Sequence, residues 1–216
     1  MIVIVDYDVG NLASVCNMLR KAGADAVISR DKNEILMADK LILPGVGHFD
    51  HGMKMLQGSG LRGALDEFAL ELRKPVLGIC LGAQMLGKNS AEGDQPGLGW
   101  IDMECRRFPD AEGFRVPHMG WAEIQPKHSS MLFDNALADA RYYFVHGYYM
   151  ACNDPRNVLA TCNYGIEFTC SVQRDNIFGV QFHPEKSGDA GLQILRNFLA
   201  VTQQRSLSTP RAEAGC

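Results

Sequence analysis

Three short stretches of the chain set reactive side chains beside glycine or proline. Cys80 stands in Gly78-Ile79-Cys80-Leu81-Gly82, at the end of the apolar run "PVLGIC". A cysteine between glycines at a strand-to-helix turn is the thiol counterpart of a nucleophile elbow, in which the turn exposes the nucleophile. The positive end of the following helix favours a thiolate there. His183 and Glu185 lie two apart in "VQFHPE" (180–185). In an extended stretch both side chains point the same way, so the carboxylate can hold the imidazole's tautomer and stabilise its protonated form. In "LPGVG" (43–47), Gly45, Val46 and Gly47 leave backbone N–H groups unshielded, as an oxyanion site requires. Each stretch also has a plainer reading: a small core residue, a hydrogen-bonded structural histidine, a tight turn. Together they supply a nucleophile, a base, an orienting carboxylate and oxyanion donors.

Such groups work only if the fold brings them to one place. The first half alternates apolar strands at 2–6, 25–29, 40–47 and 75–80 with helical patterns at 11–21, 32–39, 50–57 and 61–73. On the first helix Leu12, Val15, Cys16 and Leu19 share a face. Strands buried on both faces between helical crossovers predict a parallel sheet, and sites on such sheets form at the C-terminal strand ends. The second half is different. "LGWIDMECRRF", "HMGWAEIQP", "RYYFVHGYYM", "NVLATCNYG", "EFTCSVQRD" and "NIFGVQFHPE" are closely spaced strands broken by Gly, Pro, Asn and Asp, which predicts antiparallel additions to the sheet. A last helix is expected from Asp189 to about Val201, with Leu192, Leu195, Phe198 and Leu199 inward. The expected fold class is α/β, a mostly parallel central sheet flanked by helices, in one domain over 1–202 with a loose tail at 203–216.

The bulk properties narrow the functional classes. The chain has 216 residues, a formal net charge of −4 and 46% hydrophobic residues, the balance of a soluble globular protein. That charge argues against a protein built to coat nucleic acid. The opening "MIVIVDYDVG" has too short an apolar run for a signal peptide or a membrane span, so a cytoplasmic location is expected. Seven cysteines without any C-x-x-C pair suggest neither a zinc site nor a disulfide framework, and no metal or cofactor is expected.

With these stretches in view, the chain resembles the class I, triad-type glutamine amidotransferases. "GICLG" and "FHPE" carry that resemblance, while "PHMGW", "FVH" followed by an aromatic, and "HPEKSG" make it similar in particular to the glutaminase subunits of imidazole glycerol phosphate synthase; the match begins at "DYDVGN". The resemblance covers about 200 residues. It implies a flavodoxin-like fold and a Cys80–His183–Glu185 triad that hydrolyses glutamine to glutamate and ammonia. It further implies oxyanion donors at Leu81 and in the Gly45–Val46–Gly47 segment, and a glutamine site at Gln84, Gly47, Gly147 and Tyr148. A HisF-type (β/α)8-barrel synthase subunit is the implied partner, contacted by Asn11, Trp121, Tyr143 and Lys186. Trp121 and Tyr143 could equally be core aromatics, and Lys186 a solvated charge.

Some positions depart from the family pattern. Asp8 and Val9 replace the more usual glycine and methionine, Ala83 a common methionine, and Gly147 a serine or threonine. His48 and Asp50 flank the oxyanion loop. None removes a triad member, but they leave a second ammonia acceptor open, a sugar in surface-polysaccharide synthesis. Outside this family, a cysteine peptidase or a redox thiol protein would share the nucleophile alone.

Overall fold

The computed structural model describes residues 1–109, 115–136 and 139–202, so the expected tail at 203–216 lies outside the described residues. The first half runs β1 (Ile2–Val5), α1 (Leu12–Lys21), β2 (Ala26–Ser29), α2 (Lys32–Met37), β3 (Lys40–Gly45), α3 (Phe49–Gly58), α4 (Arg62–Asp66), β4 (Val76–Cys80) and α5 (Leu81–Met85). The predicted helix over 61–73 is α4 followed by a π-helical stretch at Glu67–Glu71. The second half adds β5 (Asn89–Ser90), β6 (Met103–Arg107), β7 (His118–Glu123), β8 (Gln125–Pro126), β9 (Arg141–His146), β10 (Tyr148–Cys152), β11 (Val158–Tyr164), β12 (Ile166–Arg174), β13 (Ile177–Val180) and α6 (Gly188–Ala200).

Strands β2, β1, β3, β4 and β13 lie side by side and parallel. Antiparallel β12 and β10 then extend the sheet to β6 and β5. Alternation along the strands sends successive side chains to opposite faces. Val3, Val5, Leu41 and Leu43 enter one core cluster, while Ile2, Ile4, Ile42, Leu77 and Ile79 enter the other. Each such side chain, fully buried, contributes roughly 1.5–3 kcal/mol relative to exposure. The edge strand β2 departs from the expected two-sided burial, with Val27 43% and Ile28 40% exposed. On α6, Leu195 and Phe198 are buried as expected; Ile194 joins them, and Leu192 and Leu199 are only partly buried.

The register places the reactive stretches together. Gly45 pairs with Cys80 across β3 and β4, and Val180 pairs with Ile79 across β13 and β4. The ends of three adjacent parallel strands therefore present "LPGVG", Cys80 and "QFHPE" along one edge. Two expected sheet additions do something else: β7 and β9 pair with each other in a separate two-stranded sheet, with His118 opposite His146. The chain passes from that ribbon to the main sheet at Gly147, between β9 and β10.

Candidate active site

The glycine frame around Cys80 answers to packing. A Cβ at Gly82 would sit 1.8 Å from the Leu43 carbonyl oxygen, and one at Gly78 would sit 2.7 Å from Ala83 Cα. One at Gly45 would lie 2.7 Å from the Gly82 nitrogen. Strand, turn and helix thus touch through bare backbone. Cys80 itself takes φ 54° and ψ −111°, in the half of backbone space that L-residues rarely occupy. Strain of this kind persists only where surrounding packing fixes it. Leu81 is the first residue of α5, whose first-turn N–H groups have no partner within the helix.

Tyr7, fully buried, donates its hydroxyl to the Pro44 carbonyl at 2.5 Å and so ties the Gly45–Gly47 loop to β1. Gly47 has φ +94° with open space where a Cβ would be, and Val46 is 42% exposed, so this loop borders the site without packing into it. His48 and Asp50 have structural work beside it: His48 Nδ1 accepts the Asp50 N–H, and the Asp50 carboxylate accepts the Asp94 and Gln95 N–H groups.

His183 follows β13, 2% exposed. Its Nδ1–H donates to Glu185 Oε1 at 2.8 Å, and both side chains are 2% exposed. The expectation of an extended His183–Glu185 stretch needs correction. Pro184–Lys186 forms a 3₁₀ turn, because proline's fixed φ suits a first helical position, and the carboxylate reaches the ring around that turn. The backbone is pinned from two sides. His183 N–H donates to the Tyr143 carbonyl at 2.9 Å, and Ser187 Oγ donates to the His183 carbonyl at 2.6 Å while accepting the Tyr143 N–H at 3.0 Å.

Burial by itself pushes the His183 pKa down. The Cys80 sulfur and the Glu185 carboxylate outweigh it and hold the ring up, at about 9. Nε2, on the other edge of the ring, is buried and has no hydrogen-bond partner among the described residues. The Cys80 sulfur is near enough to bias the imidazole. Such a pair can pass a proton from thiol to imidazole, generating a nucleophile. Four further thiols are held protonated by burial, which pushes Cys162 up to about 11 and Cys152 to about 12, and raises Cys105 and Cys170 as well. Cys216 lies outside the described residues.

Gln84 is 5% exposed and gives both amide hydrogens away, to the Tyr148 carbonyl at 3.1 Å and to Gln181 Oε1 at 3.0 Å. Gln181, fully buried, in turn donates to Cys80 Sγ at 3.7 Å. Gly147 bridges His146 and Tyr148, and among the described residues a Cβ there would meet only Val116 Cγ1 at 3.5 Å, an ordinary contact. No described residue therefore forces the missing hydroxyl at this position.

Trp121 and Tyr143 are not core residues. Trp121 is 47% exposed, its ring packs edge-on to Tyr143 at 5.9 Å, and Lys186 Nζ lies 5.6 Å from the Tyr143 ring centre. Neighbouring Met119 is 62% exposed. Asn11 is exposed and caps α1, accepting the Ser14 N–H at 3.4 Å. The departure at Asp8 is electrically muted, since Arg30 forks across Asp6 at 2.8 Å and Asp8 at 2.5 Å.

The sequence profile of the class-I glutamine amidotransferases matches residues 3–201. This chain belongs to that family. Among curated amidotransferase relatives, it is 52% identical over 201 residues to "Imidazole glycerol phosphate synthase subunit HisH 2" of Pseudomonas aeruginosa, covering 93% of this chain and all of that one. It is 47% identical to the HisH subunit of Bdellovibrio bacteriovorus, covering 93% and 100%. The "HisH 2" of Methanococcus maripaludis is 46% identical, covering 92% and 98%. A solved glutamine amidotransferase superposes with a TM-score of 0.72 at 22% identity, covering 91% and 96% of the two chains. PurLQS from Thermotoga maritima gives 0.66 at 21% identity, covering 92% and 96%. At such identities these two likenesses speak for the fold alone.

Sequence reasoning about the amidotransferase site passed over five residues: Tyr7, His118, His146, Gln181 and Ser187. Gln181 had a signal, a polar residue in an apolar strand in phase with His183. The two histidines stood inside "PHMGW" and "FVH" but offered no pattern that would join them. Tyr7 and Ser187 act across the fold and leave no local trace.

Proposed function

We propose that this chain is the glutaminase subunit of an imidazole glycerol phosphate synthase. It hydrolyses glutamine through Cys80, His183 and Glu185 and passes ammonia to a HisF-type (β/α)8-barrel subunit. The observation that carries the chemistry is the His183 imidazole, bonded through Nδ1 to Glu185 and biased through space by Cys80, on the strained elbow. Cys80 attacks the side-chain amide of glutamine. His183 takes the thiol proton and returns it to departing ammonia, and Glu185 keeps Nδ1 protonated so that Nε2 faces the reaction. The Leu81 N–H and an N–H from Gly45–Gly47 receive the oxyanion, the second of these after a peptide flip. Water then releases glutamate from the thioester. Gln84, Gly47, Gly147 and Tyr148 hold the glutamine.

Free ammonia near neutral pH is mostly protonated and no longer nucleophilic, so a docked acceptor enzyme is the natural outlet. The exposed Trp121–Tyr143–Lys186 cluster and Asn11 are its contact face. The Tyr143 carbonyl accepts the His183 N–H and the Tyr143 N–H donates to Ser187 Oγ, which gives docking a short route to the triad. The names of the relatives favour the histidine pathway over a sugar acceptor.

The test is glutamate release by the purified chain with and without the barrel subunit of its own genome and the imidazole-pathway nucleotide. Low basal release, strong stimulation, and loss of both in Cys80→Ala are expected. Labelling of Cys80 by a glutamine-derived diazoketone without any stimulation would keep the glutaminase and reject the histidine partner.

A further inference from the structure

A chain of buried polar groups runs from the small ribbon to the nucleophile. His118 and His146, 3% and 6% exposed, face each other across β7 and β9 with Nδ1 of His118 3.1 Å from Nε2 of His146. Nδ1 of His146 lies 2.7 Å from the Tyr148 carbonyl oxygen. That same oxygen accepts from Gln84, and Gln84 reaches Cys80 through Gln181.

The chemistry fixes every proton in this chain. A carbonyl only accepts, so His146 Nδ1 carries the hydrogen. Burial pushes the His146 pKa down to about 3 and that of His118 to about 4, so both rings are neutral at working pH. A neutral His146 with its proton on Nδ1 offers Nε2 as an acceptor, and His118 must therefore donate from Nδ1. The Tyr148 oxygen has two lone pairs, taken by His146 and Gln84. Gln84 has then given both hydrogens away, so it can meet a substrate only through Oε1, as an acceptor. The rings are held by packing as well: His118 stacks on Tyr164 at 4.0 Å and on Phe144 at 4.9 Å, and Phe108 lies 5.3 Å from His146.

Two neutral histidines in an aromatic cluster cost more than apolar residues of the same shape unless every bond is made. Apolar side chains would fill this space. What they could not do is aim the Tyr148 carbonyl. We propose that the His118–His146 pair is a positioning device of the glutamine site. It orients the Tyr148 carbonyl, which orients the Gln84 amide so that Oε1 receives the α-ammonium of glutamine. This rests on the glutaminase reading above. Neither histidine touches the reacting atoms; both act through Tyr148 and Gln84.

The test uses the chain bound to its barrel subunit and compares wild type with His146→Leu, His146→Asn and His118→Asn. Asparagine places an N–H near the position of imidazole Nδ1, so His146→Asn keeps the donor to Tyr148, whereas leucine removes it. A glutamine-derived diazoketone labels Cys80, giving a half-saturating concentration and a maximal rate; iodoacetamide, which needs no glutamine pocket, reports the thiol itself. For His146→Leu the half-saturating concentration should rise about tenfold, the maximal rate and the iodoacetamide rate changing less than about threefold. His146→Asn should recover most of the loss.

Equal behaviour of His146→Leu and His146→Asn, or an unchanged half-saturating concentration in both, overturns the proposal. If His146→Leu does not fold, His118→Asn decides. It keeps the donor to His146, so near-normal half-saturation supports the relay and a loss as large as tenfold overturns it. A wild-type chain that the diazoketone never labels sinks the glutaminase reading first and the proposal with it, an outcome distinct from labelled but indifferent variants.

Discussion

The Cys80 side and the His183 side of the candidate site are built from different materials. Around Cys80 the architecture is backbone against backbone: Gly45, Gly78 and Gly82 allow contacts that no side chain could share, and the strain at Cys80 is held by that packing. Around His183 it is side chain against backbone: Glu185, Ser187 and Tyr143 hold ring and main chain by hydrogen bonds of 2.6–3.0 Å. The first kind of positioning is rigid and all-or-none, since a methyl group cannot be half accommodated. The second is graded, since each bond can be removed on its own. The first half of the chain supplies the rigid part, and the second half, through the end of β13 and the β7–β9 ribbon, supplies the part that also reaches the exposed aromatic cluster.

This contrast can be broken in several ways. The largest effect expected is Glu185→Gln, which keeps size and a hydrogen bond but removes the charge that fixes the His183 tautomer. Glutamate formation in the complex should fall about 10³-fold, with glutamine affinity little changed. The same variant should lower the His183 pKa from its raised value near 9, visible by NMR titration. A ring whose pKa stays put would mean that the carboxylate does not govern it.

Gly82→Ala probes the rigid side. Its Cβ would fall 1.8 Å from the Leu43 carbonyl, so the elbow must move or the chain unfold, costing about 3 kcal/mol in denaturant titration. An alanine tolerated with full activity would show that the elbow is not packed as described.

Acid separates the two sides by charge. His118 and His146 have folded pKa values pushed below 6.5 by burial, so the unfolded chain binds protons there before the folded chain does. Their contribution is whole above about pH 6.5 and declines as the pH falls toward 4. His183 has the opposite sign. Its raised value contributes fully below about pH 6.5 and is lost as the pH climbs through about 9. From pH 7 to pH 5, wild type should lose about 4 kcal/mol more stability than a His118→Asn/His146→Asn double variant, roughly half from each ring. Parallel stability curves would count against two buried neutral rings.

Ser187→Ala gives the smallest effect. It removes the hydroxyl that bridges the Tyr143 N–H and the His183 carbonyl, costing about 1 kcal/mol of stability by calorimetry. Stimulation by the barrel subunit should drop more than basal glutamate release. Equal losses in both would mean that the bridge is only structural.

Much of this could be read from residue order alone, and the reasons are local. The glycines around Cys80, the alternation of Val3, Ile4 and Val5, and Pro184 beside His183 each act within a few residues of where they stand. Those features determined the parallel half, the strand ends and the three candidate reactive side chains. What only the tertiary structure decided lies across long separations. His118 meets His146 over 28 residues, Gln84 meets Gln181 over 97, and Tyr7 holds Pro44 over 37. The exposure of Trp121 depends on β7 and β9 leaving the main sheet to pair with each other. Even the His183–Glu185 contact, expected from an extended strand, forms around a turn. The physical reason is the range of the forces at work. Backbone preference and periodicity are written in neighbouring residues, whereas a buried hydrogen bond exists only after folding brings donor and acceptor together and removes the water between them.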